Sequence, residues 1–285
     1  MPRSNYLTIL QHNIHITEWG NPDSPPVVMW HGLSRTGRDF DTIARHLGHH
    51  YFVLCPDTIG RGLSSWSEDP EHDYLAATYI KQAELILDAY DIEKCAWIGT
   101  SMGGIIGMGI ASQPESSRIG ALILNDVGGE VNGVALHRIK HYVTQMPTFP
   151  NMTEFEQHIR KVHAAFGPHT DEQWRHMAET SFRRTNDGHF TNHYDPQVMQ
   201  VFAKVLEEGH LELWNLYDAI TCPTLVIRGD LSDLLLDAVA KDMSQRGPKA
   251  PTVTVPNCGH APGLNTEEQI VLVEAFLSEY YSCSL

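Results

Sequence analysis

Cysteine is sparse and unpatterned in this chain. Five occur in 285 residues (Cys55, Cys95, Cys222, Cys258 and Cys283), and none form a C-x-x-C pair. An odd, dispersed set makes no disulfide framework and points to a reducing compartment. Basic runs are missing as well. None is longer than the pair Arg183-Arg184, and 20 Lys and Arg against 35 Asp and Glu give a formal charge of −15. A net acidic surface repels phosphate backbones and anionic headgroups, so neither nucleic acid nor a membrane surface is an expected partner. No apolar run approaches the roughly 18 residues of a spanning helix, and residues 1–6 carry no apolar stretch behind their charge. A soluble, cytoplasmic protein is the expectation.

What is present is enough apolar sequence for a sizeable core. Hydrophobic residues make up 42% of the chain, which excludes disorder, and 22 Gly and 16 Pro follow no period, which excludes collagen-like sequence. Residues 6–10 and 13–19 read as paired strands. Short apolar runs at 27–30, 51–55, 96–98, 121–124, 224–227 and 252–255 read as buried strands, several ended by Pro or Gly. Helical spacing marks 76–90 and 267–281. Short buried strands alternating with helices predict an α/β fold with a mostly parallel, doubly wound sheet. Between about 129 and 215 the chain turns rich in His, Met, Gln, Thr and aromatics, with helix-like periodicity and no buried strand. The expected organisation is a core of residues 1–128 and 216–285 with a helical cap, 129–215, inserted between two strands of one sheet.

The sharpest motif is Gly99-Thr100-Ser101-Met102-Gly103, between the strand at 96–98 and the helix-like 104–108. A tight strand-to-helix turn holds a serine in a strained conformation with its hydroxyl exposed, so its neighbours must lack bulk. The helix N-terminus behind it favours developing negative charge. Ser101 is therefore the predicted nucleophile. It needs a general base, and of 17 histidines His260 has the right position, after the last strand in Val255-Pro256-Asn257-Cys258-Gly259-His260-Ala261-Pro262. Ligands bind at that carboxyl edge in open α/β sheets. A carboxylate must then orient the imidazole, and Asp230, Asp233 and Asp126 all follow strands. An oxyanion needs two backbone N–H donors: Met102 after the nucleophile, and Leu33 in His31-Gly32-Leu33-Ser34 after the strand at 27–30.

Taken together, these segments resemble the α/β-hydrolase superfamily, in the group carrying a helical cap. The matching pieces are His31-Gly32-Leu33-Ser34-Arg35, Asp57-Thr58-Ile59-Gly60-Arg61-Gly62-Leu63-Ser64, Gly99–Gly103, residues 229–233 and residues 259–262. The resemblance spans everything except the cap. It implies Asp233 as the acid, the second Asp of Gly-x-x-Ser-Asp, which the residues alone do not prefer over Asp230. Haloalkane dehalogenases and soluble epoxide hydrolases of this fold carry Asp where this chain has Ser101. Carbon–carbon-cleaving meta-cleavage hydrolases usually follow the histidine with Trp, where this chain has Ala261.

The expected function is a carboxylesterase-type serine hydrolase acting on small to medium esters through an acyl-enzyme, with no cofactor and a small-molecule ester as its partner. Hydrolysis of a C–C bond or a lactone is the alternative, with Arg183-Arg184 as a carboxylate site for the former; a peroxide side activity fits the same residues. A ligand receptor on this fold is the alternative outside enzymes. His31, Gly32, Trp66 and Ala261 are expected on the substrate pocket. Cap residues Met146, Phe149, Met152, Phe155, Phe166, Trp174, Met177, Phe182, Tyr194, Met199 and Phe202 are candidates for an apolar lining, or for packing the cap onto the core. His137 and His141, at i and i+4, lack a third ligand, so no metal is expected.

Overall fold

A computed structural model describes residues 1–113, 118–205 and 211–281. Cys283 and the chain's last residues lie outside them, as do 206–210 of the inserted segment. Eight strands form the main sheet: β1 (Arg3–Ile9), β2 (His12–Trp19), β3 (Pro26–Trp30), β4 (Phe52–Pro56), β5 (Cys95–Thr100), β6 (Ile119–Asn125), β11 (Thr224–Gly229) and β12 (Thr252–Val255). Their order is β1-β2-β4-β3-β5-β6-β11-β12. The pairs β1–β2 and β2–β4 are antiparallel, and every other pair is parallel.

Parallel strands need crossovers, supplied here by α1 (Asp41–Leu47), α2 (Pro70–Asp73), α3 (Ala76–Ala89), α4 (Met102–Ala111) and α10 (Asp237–Met243), while α11 (Glu267–Tyr280) follows the last strand and packs back on the sheet. Both faces of the sheet are thereby buried, which explains why the central strands are continuously apolar. Successive residues divide between two clusters. Val28, Trp30, Leu54, Trp97, Leu122, Leu124 and Val226 face one, with Ile86 and Leu87 of α3 and Ile106 of α4. Val27, Met29, Val53, Ala96, Ile98, Ile123 and Ile227 face the other, with Ile43 of α1 and Val273 and Leu277 of α11.

Between β6 and β11 the chain leaves the sheet. Helices α5 (Gly133–Val143), α6 (Met152–Val162), α7 (Asp171–Glu179), α8 (Pro196–Val205) and α9 (Trp214–Asp218) dominate this stretch. It also holds four strands of two or three residues: β7 (Glu130–Val131) pairs with β10 (Leu211–Glu212), and β8 (Phe182–Arg184) with β9 (Phe190–Asn192). The sequence pattern pointed to none of these, because so short a strand carries too few residues for a period-2 signal. The segment has its own core of Phe155, Ile159, Trp174, Met177, Ala178 and Phe190. Among the described residues no helix is long and apolar enough to cross a membrane.

Candidate active site

The turn from β5 to α4 explains its own sequence. Ser101 has φ 52° and ψ −115°, a conformation that L-residues rarely adopt. A Cβ at Gly103 would run into the carbonyl of Trp30, and one at Gly99 into the backbone of Gly103 and Gly104. Both glycines are thus sites of close backbone approach. The serine amide is anchored across the sheet, donating to the Asn125 carbonyl at 3.0 Å.

His260 Nε2 lies 2.9 Å from Ser101 Oγ, and His260 Nδ1 lies 2.8 Å from Asp126 Oδ2. The carboxylate on the imidazole is therefore Asp126, and the expectation of Asp233 is corrected. Asp126 stands directly after β6, at φ 56° and fully buried. It accepts hydrogen bonds from the Gly229 amide at 3.0 Å and Ser232 Oγ at 2.5 Å as well as from His260. Asp233 instead takes a bidentate ion pair from Arg138 on α5, both bonds 2.7 Å long, with 45% of its side chain exposed. The remaining candidate, Asp230, accepts from the Cys258 amide at 3.1 Å and shapes the turn ahead of His260.

The loop after β3 runs alongside the nucleophile: a Cβ on Gly32 would sit 3.7 Å from Ser101 Cβ. His31 is fully buried, and its Nδ1–H donates to the Gly32 carbonyl at 2.7 Å. Its Nε2 then accepts from the Thr58 amide and faces the Thr58 hydroxyl, each at 3.0 Å, while Trp30 Nε1 donates to that hydroxyl at 2.9 Å. Burial pushes the His31 imidazole down to about 4, so it stays neutral. The Gly32 carbonyl and the Leu33 N–H belong to one planar peptide, so fixing the first aims the second. Met102 opens α4, where first-turn amides have no partner inside their own helix.

Ser101, His31, Gly32, Leu33, His260 and Ala261 line a cavity of about 350 Å³. Trp66 does not. It lies 38% exposed with the Arg183 guanidinium 4.2 Å from its ring centre, and Arg184 stacks likewise on Phe190. Neither arginine lines the cavity, which removes the carboxylate site expected of that pair. Of the apolar residues expected at the pocket from this segment, only Phe166 and Met177 reach the cavity, where Ile139 and Tyr142 of α5 join them. Phe149, Met152, Phe155, Trp174 and Phe182 pack within the inserted segment, and Tyr194, Met199, Met146 and Phe202 pack in or against the main core. Apolar and polar groups share the wall, and Arg35, His163, His169, Gln173 and His176 are among the polar ones. Residue-by-residue reading missed these because they are scattered over loops and α7. Burial holds His163 and His169 below the usual histidine range, so both present neutral imidazoles. His137 and His141 are exposed on α5.

The inserted segment is tied to this site at several points. The Gly259 amide, just before His260, donates to the Ala165 carbonyl at 2.7 Å, and the Gly62 amide donates to His193 Nδ1 at 2.8 Å.

Residues 27–271 match the model of the alpha/beta hydrolase family. A 3-hydroxybutyrate-oligomer hydrolase of Cupriavidus necator is 39% identical over 275 residues, covering 94% of this chain and 93% of that one. A putative hydrolase from Rickettsia typhi superposes with a TM-score of 0.90 at 29% identity, over 98% of this chain and 99% of that one. An alpha/beta hydrolase from Novosphingobium aromaticivorans does so with a TM-score of 0.86 at 33% identity, over 97% and 98%. The chain belongs to the alpha/beta hydrolase family.

Proposed function

We propose that this protein hydrolyses carboxylic esters through an acyl-enzyme on Ser101. The carrying observation is the continuous relay from Asp126 through His260 to Ser101, with hydrogen bonds of 2.8 and 2.9 Å. Ser101 Oγ attacks the ester carbonyl while His260 Nε2 takes its proton. Asp126 accepts from Nδ1 throughout and stabilises the imidazolium that forms. The tetrahedral oxyanion is received by the amides of Leu33 and Met102. His260 then protonates the departing alcohol. Water, deprotonated by the same imidazole, attacks the acyl-enzyme, and the acid leaves. Residues 129–215 serve as a cap that roofs the cavity and supplies more than a third of its lining residues.

The substrates we infer are short, polar oligoesters of hydroxy acids. The name of the Cupriavidus necator relative supports this class, and so does a cavity that sets His163, His169, Gln173 and Arg35 beside apolar Ile139, Phe166 and Met177. The polar groups match the ester carbonyls, the free hydroxyl and the carboxylate of a hydroxyacyl dimer or trimer. The test is a panel of p-nitrophenyl esters beside 3-hydroxybutyrate dimer and trimer. Turnover of the oligoesters, abolished by Ser101→Ala in a folded protein, is expected. Persistent turnover in that variant would remove Ser101 from its role.

A further inference from the structure

Arg61 is a fully buried guanidinium in the loop between β4 and α2. Burying a charge costs several kcal/mol unless partners compensate, and a carboxylate is the usual partner. Among the described residues none pairs with it. Asp57, on the same loop, is taken up by His15 Nδ1 at 2.8 Å and by the amides of Gly37 and Leu63.

The guanidinium is satisfied by neutral groups. Nε donates to the Leu33 carbonyl at 3.0 Å, and one terminal nitrogen donates to the Ile59 carbonyl at 2.8 Å and to Tyr79 Oη at 2.7 Å. Its other terminal nitrogen meets Met102 Sδ at 3.6 Å. The Tyr79 ring lies 4.8 Å from the guanidinium carbon, a cation–π contact. One side chain thus touches both Leu33 and Met102, the two residues whose amides are assigned to the oxyanion. The peptides on either side of Leu33 are each pinned, one by His31 on the Gly32 carbonyl and the other by Arg61 on the Leu33 carbonyl.

We propose that Arg61 is a positioning residue of the oxyanion site: its fork fixes the Leu33 segment against the start of α4, and its uncompensated charge favours the anion that forms between them. This rests on the ester-hydrolase reading and deepens it. A positive charge held in a low-dielectric interior acts most on the state with the most negative charge, which is the tetrahedral intermediate. Ground-state binding gains little from it, so the effect falls on kcat.

The test compares wild type with Arg61→Met, Arg61→Lys and Tyr79→Phe. Three quantities are read: kcat and KM on p-nitrophenyl butyrate, the affinity for a trifluoromethyl ketone that adds to Ser101 as an oxyanion, and the melting temperature. Arg61→Met is expected to lower kcat by about 10- to 100-fold, with KM within about twofold and inhibitor affinity weakened in parallel. Arg61→Lys restores part of the loss, because an ammonium keeps the charge but cannot span Leu33 and Met102. Tyr79→Phe, which removes one of the guanidinium's supports, gives a smaller loss of the same kind and covers the case in which Arg61→Met does not fold. Unchanged kcat and inhibitor affinity in the folded variants, with only the melting temperature lowered, would overturn the proposal. An inactive wild type would instead overturn the ester-hydrolase reading.

Discussion

Ser101 and Asp126 stand one residue beyond a matched pair of strand ends. Thr100 of β5 and Asn125 of β6 are register partners, and the two residues that follow them both turn to positive φ, 52° and 56°. Adjacent parallel strands therefore set the Ser101 and Asp126 turns side by side, and His260 arrives from beyond β12 to join them. The Ser101 amide bonded to the Asn125 carbonyl ties the two turns together.

From this follows a comparison of carboxylates. Asp126→Asn removes the anion that holds the imidazole tautomer and is expected to lower kcat by about 10³- to 10⁴-fold. Asp233→Asn disturbs only a half-exposed pair with Arg138 and is expected to stay within a few-fold of wild type. Steady-state kinetics on one short ester decides between them. A larger loss for Asp233→Asn would return the acid to the position implied by family resemblance.

The glycines of the nucleophile turn are expected to be intolerant of a single methyl group. Gly103→Ala drives a Cβ into the Trp30 carbonyl and Gly99→Ala into the following turn, and neither obstacle is a movable side chain. Each substitution should cost about 1–3 kcal/mol or more in urea unfolding. A loss below about 0.5 kcal/mol would mean that the turn relaxes more than its packing allows.

The amount legible in the sequence differed by kind of feature. The central strands were legible because both faces are buried, so each reads as a short unbroken apolar run. The turn at Ser101 was legible because its backbone admits only glycine on either side. The acid was not, since three aspartates follow strands and only the register of β5 against β6 puts one beside the imidazole. The aromatics of the inserted segment misled for a related reason. Phe155 and Trp174 have the same composition signal whether they line a cavity or close a small core, and here they close the core. The polar part of the wall, with Arg35, His163 and Gln173, is assembled from distant segments, and local pattern carries no trace of it.

Acid should destabilise this fold over a defined range. Burial lowers His31 to about 4 and His193 to about 3, and holds His163 well below its ordinary value. In the unfolded chain each takes a proton near 6.5, so as pH falls from about 6.5 toward 4 the unfolded state binds more protons than the native one. Stability then drops by up to about 1.4 kcal/mol per pH unit for each group, and above about pH 7.5 these three contribute no slope. His176, raised by its bond to Asp41 against a smaller effect of burial, works in the opposite sense and offsets part of this. Urea unfolding at several pH values, with His193→Gln beside wild type, checks the sign: the variant should show the shallower slope, and an identical slope would contradict it.

Chain length offers a separate check on the cavity. A volume of about 350 Å³ suits short acyl groups. On p-nitrophenyl esters, kcat/KM should fall by about tenfold or more between butyrate and laurate. A preference for laurate would contradict this limit on acyl length.

The most direct measurement is the rate and site of labelling by a fluorophosphonate, followed by peptide mass mapping in wild type, Ser101→Ala and Asp126→Asn. The expected result is one adduct on Ser101 in wild type, none in Ser101→Ala, and labelling slowed by at least about 10²-fold in Asp126→Asn. An adduct on another residue, or wild-type labelling of Asp126→Asn, would contradict the relay of Asp126, His260 and Ser101.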